Sequence, residues 1–186
     1  GKAKILYIGV TDSPTTKQEA AYSKSFTAQH CPGCTFTEID YATASINKLS
    51  SAVSAALLSN PGTTDVVCEV DACEPLAAQG IQIAGYGNKV KLYSANGNLS
   101  SLQQIAGGHL LTTDIGISAT YFGWLFSDGI LRVLKGHVPV ASTTVERVFT
   151  KSNVSGLALT PAAYATEAWY GSNSFEQQFL NAWAGK

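Results

Sequence analysis

The sequence predicts an α/β protein: a three-layer open sheet, mostly parallel, with helices on both faces. Two observations predict it. Apolar, strand-like segments alternate along the chain with stretches of helical period, at Ile5–Val10, Phe36–Ile39, Asp65–Glu69, Val90–Tyr93 and Leu110–Thr113. Each then runs into a small polar cluster, namely Thr11-Asp12-Ser13, Asp40-Tyr41, Glu69-Val70-Asp71, Asn96-Gly97 and Asp114. Ligands of open α/β sheets bind outside the carboxyl ends of the strands, so polar side chains gathered there point to a binding edge. Right-handed crossovers and short connections leave few topologies, and a strand order near 2-1-3-4-5 is expected.

Taken in order, Ile5, Leu6, Tyr7, Ile8 and Val10 form the near-continuous apolar run of a strand buried on both faces. Thr16–Gln29 follows as a helix with Tyr22 and Phe26 one turn apart. Ile46–Leu58 is the clearest helix, with Ile46, Leu49, Val53, Ala56 and Leu57 on one face and Asn60-Pro61-Gly62 as its stop. Glu74–Ala84 has Pro75 in its first turn and Gly85 at its end, with Leu76, Gly80 and Ile83 expected to face inward. Ser100–Ala106 is a short helix ended by Gly107-Gly108. Ser118–Lys135 is the longest helix and is apolar nearly all round, which implies burial on more than one side. Val145–Thr150 reads as a further strand, Lys151–Gly171 has no clear period, and Ser174–Trp183 closes as a helix. Residues 1–136 therefore read as the ligand-binding lobe, including the crossover helix 118–135. Residues 137–186 complete it or cross to another lobe.

The chain has 186 residues, enough for one α/β domain with a sizeable core. Charged residues make up 13%, well under the usual ~25%, and Ser, Thr, Ala, Asn and Gln cover the surface instead. A net charge of -1 without a basic run argues against a nucleic-acid partner or an anionic membrane surface. The absence of methionine and the glycine start are those expected of a processed, trimmed or excised product.

Cys31–Cys34 and Cys68–Cys73 are the expected disulfides. The first pair lies between a helix and a strand, the second brackets a strand exit, and a strand of five or six residues puts roughly 17–20 Å between those sheet edges. A disulfide tolerates only about 4.4–6.8 Å between Cα atoms, so cross-pairing is excluded. Two local disulfides imply an oxidising, extracytoplasmic compartment. The rival reading of Cys31-Pro32-Gly33-Cys34 is a redox-active motif or half a zinc site. Its position after a helix, rather than before one, works against a stabilised thiolate.

Asp12, Glu69, Asp71 and Asp114 are carboxylates at the expected strand ends. Such groups serve as a glycosidase acid and base, as a magnesium site, or as helix N-caps. The three histidines fall in unrelated turns, and neither a nucleophile–base pair nor a phosphate loop is present, so a binder without cofactor or metal is expected rather than an enzyme. The expected ligand contacts are Asp12, Ser13, Glu69, Asp71, Asn96 and Asp114, with Tyr22 near the rim. Carboxylates accept hydrogen bonds from several hydroxyls or pair with a cation, which suits a sugar-like or amine-bearing solute. A secreted carboxylate hydrolase or thiol oxidoreductase is the alternative.

Several stretches carry a resemblance. Gly1-Lys2-Ala3-Lys4-Ile5-Leu6-Tyr7-Ile8, Phe26, Leu57 to Val67, Asp71, Ala78 to Gly85, Asn96-Gly97, Ile105 to Gly108 and Arg132 to Gly136 resemble the C-terminal lobe of a type I periplasmic sugar-binding protein. The resemblance implies a solute-binding lobe that works with an N-terminal lobe of the same protein and delivers its solute to an ABC transporter permease. It also implies that the helix 118–135 packs on that other lobe, so here the helix is expected to cover itself against a second molecule, another copy or the missing lobe, with folding back on its own sheet as the alternative. Departures fall on the family's sugar contacts. The arginine of the first helix is replaced at Ala20 and Tyr22, the Asn-Asp pair is Val70-Asp71, the aromatic-Asp pair is Ala95-Asn96, and the glutamine after the fifth strand is Ile115 or Gly116. A particular pentose or hexose is therefore not implied.

Overall fold

The structure is a computed structural model that describes residues 1–138, 146–171 and 174–184. A six-stranded sheet runs in the order β2-β1-β3-β4-β5-β6. Its strands are β1 Lys4–Val10, β2 Thr35–Tyr41, β3 Asp65–Cys68, β4 Lys91–Asn96, β5 Leu111–Ile117 and β6 Glu146–Thr150. The first five are parallel, as expected, and β6 is antiparallel to β5 with Asp114 opposite Phe149. Val145, expected to open β6, lies outside the described residues.

The apolar run of β1 divides by the pleat. Leu6 and Ile8 join Val66, Cys68, Leu92 and Leu111 in the main core. Helices α2 (Leu49–Ser59), α3 (Glu74–Ile83) and α4 (Leu99–Gly107) cover that face with Leu49, Val53, Leu57, Ala77, Ile81, Leu102 and Ile105. Tyr7 points to the other face, where it stacks on Phe36 at 5.3 Å beneath α1 (Pro14–His30). The α1 helix buries only Ala20 and leaves Tyr22 and Phe26 exposed on its outer side. Ser13 caps it by accepting from the Thr16 N–H at 3.1 Å, and the Cys31 N–H closes its last turn on the Thr27 carbonyl.

Three expectations are corrected here. The inward face of α3 is Ala77–Gly80–Ile81, because Gly80 seats against α2 and that contact fixes the rotation of the helix; Ile83 is left exposed. Residues Thr43–Lys48 form a separate 3-10 turn ahead of α2, so Ile46 is not on its buried stripe. β5 runs on to Ile117, so Asp114 stands inside the strand rather than at its end.

Beyond β5, α5 (Ala119–Leu134) is capped by Ser118 and leaves the sheet. It pairs with α8 (Ser174–Trp183) through Tyr121 on Phe175 and through Trp124 stacked on Trp183 at 5.3 Å. Trp183 donates its indole N–H to Asp128 at 2.8 Å, and Asp128 also holds Arg132 at 2.7 Å. Burial on several sides is not observed. Phe126 (67% exposed), Ile130, Val133 and Leu134 (76% exposed) line the outer side of α5. Between β6 and α8 the chain adds two short helices, α6 (Lys151–Val154) and α7 (Pro161–Ala165), and brings Trp169 into the core against Phe149.

Candidate ligand-binding edge

The carboxyl ends of β1, β3, β4 and β5 form one edge, and the side chains there are held by short-range bonds. At the β1 exit, Asp12 is exposed and accepts from the Thr43 N–H at 2.6 Å and from the Thr43 hydroxyl, which together hold its carboxyl below the ordinary range. Ser13 is occupied as the α1 cap. Glu69, just past β3, accepts from the Val10 N–H at 2.6 Å and the Tyr7 hydroxyl at 3.0 Å, tying β1 to β3 on the α1 side. Burial raises its pKa, against the pull of those two donors.

The centre of the edge is a turn at the end of β4. Asn96 has φ 122° and Gly97 φ 76°, a reversal that is strained for any side chain but open to glycine. A Cβ on Gly97 would lie 2.8 Å from the Gly116 Cα and 2.9 Å from the Trp169 ring. Three bonds pin the turn: Asp71 N–H to Asn96 Oδ1 at 3.3 Å, Asn98 N–H to Asp71 Oδ2 at 2.7 Å, and Gly97 N–H to Asp114 Oδ1 at 3.1 Å.

Of the residues expected to contact a ligand, the structure thus joins Asp71, Asn96 and Asp114 in one network. Asp12, Ser13 and Glu69 stand further along the same edge. Asp71 and Asp114 are buried, with their carboxyls turned inward, so they shape the edge from behind. Tyr22 lies more than two turns into α1, exposed on its outer side, because the helix turns Ala20 and Ser23 toward the sheet instead.

The pairing of cysteines is local. Cys31 and Cys34 have Cα atoms 5.3 Å apart, and Cys68 and Cys73, which bracket the loop carrying Glu69 and Asp71, are 6.0 Å apart. Among the described residues no group of three or more His, Cys, Asp or Glu side chains gathers in a way that could hold a metal ion. Cys68 and Cys73 are buried while Cys31 and Cys34 are partly exposed, so mild reductant is expected to release thiols in two stages. Mass-resolved alkylation checks this. Cys31 and Cys34 should be labelled first, and simultaneous labelling of all four would contradict the burial difference.

Sequence reasoning missed a second cluster from the segment without period. Glu167 accepts from the Ser118 hydroxyl and from the Thr120 N–H at 3.0 Å, placing a carboxylate at the start of α5. Tyr164 stacks on Trp169 and donates to Asn98 Oδ1 at 3.3 Å. Only the serine before an apolar run signalled any of this.

The architecture is that of one lobe of a type I periplasmic solute-binding protein. The chain is similar to the periplasmic binding protein component of the arabinose ABC transporter from Shewanella sp. ANA-3 (TM-score 0.73, 19% identity, 92% of this chain and 58% of that one). It is also similar to the 5-methylthioribose transporter solute-binding protein of Thermotoga lettingae (TM-score 0.72, 17% identity, 92% and 56%) and to the Caulobacter myo-inositol binding protein (TM-score 0.68, 14% identity, 82% and 53%). The chain spans a little over half the length of these structures. No family model and no curated protein matches the sequence.

Proposed function

We propose that this chain is the solute-binding half of an extracytoplasmic, two-lobed binding protein that captures a small polar solute, sugar-like or amine-bearing, for an ABC transporter. The observation that carries the reading is the pinned Asn96–Asn98 turn at the carboxyl edge of a parallel sheet, within a fold shared with arabinose-, inositol- and methylthioribose-binding proteins. Asn96 carries an amide on the same strand-end edge as Asp12 and Ser13, two strands away from them. Hydroxyl-bearing or amine-bearing solutes match such donors and acceptors.

The outer face of α5 supports the two-lobed part of this proposal. Trp124, Ser127, Ile130, Leu131 and Trp183 line an open cleft of about 500 Å³, continuous with exposed Phe126, Val133 and Leu134. Soluble monomers seldom leave an apolar patch of more than a few hundred Å² uncovered. A second lobe is the occupant we assign, since the similar structures are nearly twice as long. Self-association of the isolated chain through α5 is the competing outcome, and light scattering separates the two.

Amide-resolved NMR titration with arabinose, myo-inositol and a small polyamine tests the binding role. A lone lobe supplies part of the contacts, so dissociation constants of the order of millimolar are expected. Shifts should centre on Asp12, Ser13, Asn96 and Gly97, and Asn96→Ala should weaken binding about tenfold. Titrations that leave those amides unmoved at saturating solute would overturn the proposal.

A further inference from the structure

The pinned turn leaves two oxygens without a partner. Asp71 Oδ1 and Asp114 Oδ2 are both fully buried and unbonded, while the other oxygen of each carboxyl accepts a backbone N–H of the turn. The two carboxyls hold successive N–H groups of one turn, Asp114 that of Gly97 and Asp71 that of Asn98, and each acts on the other's charge. Two ionised carboxylates in that position would put like charges together out of water, with both free oxygens unsatisfied. A single proton between them satisfies both oxygens and removes one charge.

We propose that Asp71 and Asp114 share one proton, and that Asp114, acting in its neutral form, is the positioning residue that holds the Asn96–Asn98 turn at the ligand-binding edge. Asp114 donates from Oδ2 to Asp71 Oδ1, and Asp71 carries the charge. That charge strengthens the short bond from the Asn98 N–H. The pair joins three elements that the sequence keeps far apart: the loop between Cys68 and Cys73, the end of β4 and the middle of β5.

The surroundings favour the neutral acid. Ser94 faces Asp114 from β4, and Phe149 closes it from β6. Glu74 on α3 and Tyr164 on α7 are close enough for their charges and those of the pair to act on one another, and Glu167 acts on Tyr164 as well. Burial raises both Glu74 and Tyr164, and the nearby Asp71 raises each further. No lysine, arginine or histidine is among the groups acting on Asp114, whose pKa is raised to about 8, first by burial and then by Asp71.

The sign of the pH dependence follows. The folded pair keeps a proton that the unfolded chain releases near its ordinary value of 3.8. Stability from this group is therefore greatest at the acid end, falls as pH rises from about 4 and reaches its floor above about pH 8. With one proton at stake, the folded-to-unfolded ratio changes by up to about tenfold per pH unit within that window.

The consequence for solute binding rests on the proposed function above, whereas the shared proton does not. Carboxyl-carbon NMR titration of the unmodified chain, read with amide exchange at Gly97 and Asn98, is the test. One of the two carboxyls should stay protonated to near pH 8, with the protection of both amides, taken relative to the base-catalysed rate at each pH, falling at least tenfold as it ionises. In Asp114→Asn the side-chain amide donates permanently to Asp71, so the protection of these amides and the unfolding equilibrium should lose that pH dependence. Finding both carboxyls ionised at pH 6, or a turn whose protection ignores their titration, would overturn the proposal. A titrating pair in a chain that binds no sugar, polyol or amine would leave the shared proton standing and remove only the solute-binding reading.

Discussion

Trp169→Ala is expected to destabilise the protein by about 3–5 kcal/mol, as large-to-small changes at buried aromatic sites do. Trp169 is 2% exposed and touches Phe149, Tyr164 and Tyr170, with ring centroids 5.3–5.5 Å away. It also fills the space over Gly97 and Gly116 that no side chain of β4 or β5 occupies. Removing it opens a cavity bounded by the Asn96–Asn98 turn on one side and by β6 on the other. Urea unfolding followed by far-ultraviolet circular dichroism measures the loss. A change under about 1 kcal/mol would mean that residues 151–171 lie against the sheet without contributing to its core.

Gly80→Ala has the second large effect, and for the opposite reason. A Cβ at Gly80 would stand 2.5 Å from the Ser50 carbonyl oxygen and 2.8 Å from the Val53 Cβ. Both belong to the body of α2 and neither is the movable tip of a long side chain. The helices must separate, and separation loosens Val53, Leu57, Ala77 and Ile81 together. Overpacking of this kind costs about 1–3 kcal/mol, and a backbone obstacle places this case at the upper end. Alanine is the better helix former by roughly 1 kcal/mol, so a neutral or stabilising result in the same unfolding assay would show that α2 and α3 can shift apart freely.

Much of the scaffold was legible because burial writes itself into residue type. Leu6, Ile8 and Val10 of the first run and the stripe Leu49, Val53 and Leu57 have to face a core, and they do. The closing helix Ser174–Trp183 was readable at both ends. Strand ends were less legible. Ser94-Ala95-Asn96 and Asp114-Ile115-Gly116 look like loops, yet ladder pairing with each other carries both strands through them. The apolar surface of α5 was legible but misleading about burial, since no described residue covers Phe126, Ile130, Val133 or Leu134. The buried pair at the edge had no sequence signature at all. Asp71 and Asp114 are each ordinary candidates for a helix cap, and only the fold makes them neighbours.

The antiparallel β6 changes the mechanics of the molecule. Ile117 and Glu146 pair on one rung, so the chain departs toward α5 and comes back to the sheet at the same point. Glu167 adds a strut there, bracing Ser118 and the first turn of α5 from the returning segment. The α5–α8 pair therefore hangs from the sheet like a door from one jamb. Any load on its aromatic face is carried by that rung and by the Glu167 strut into β5, the strand beside the one that leads into the Asn96–Asn98 turn.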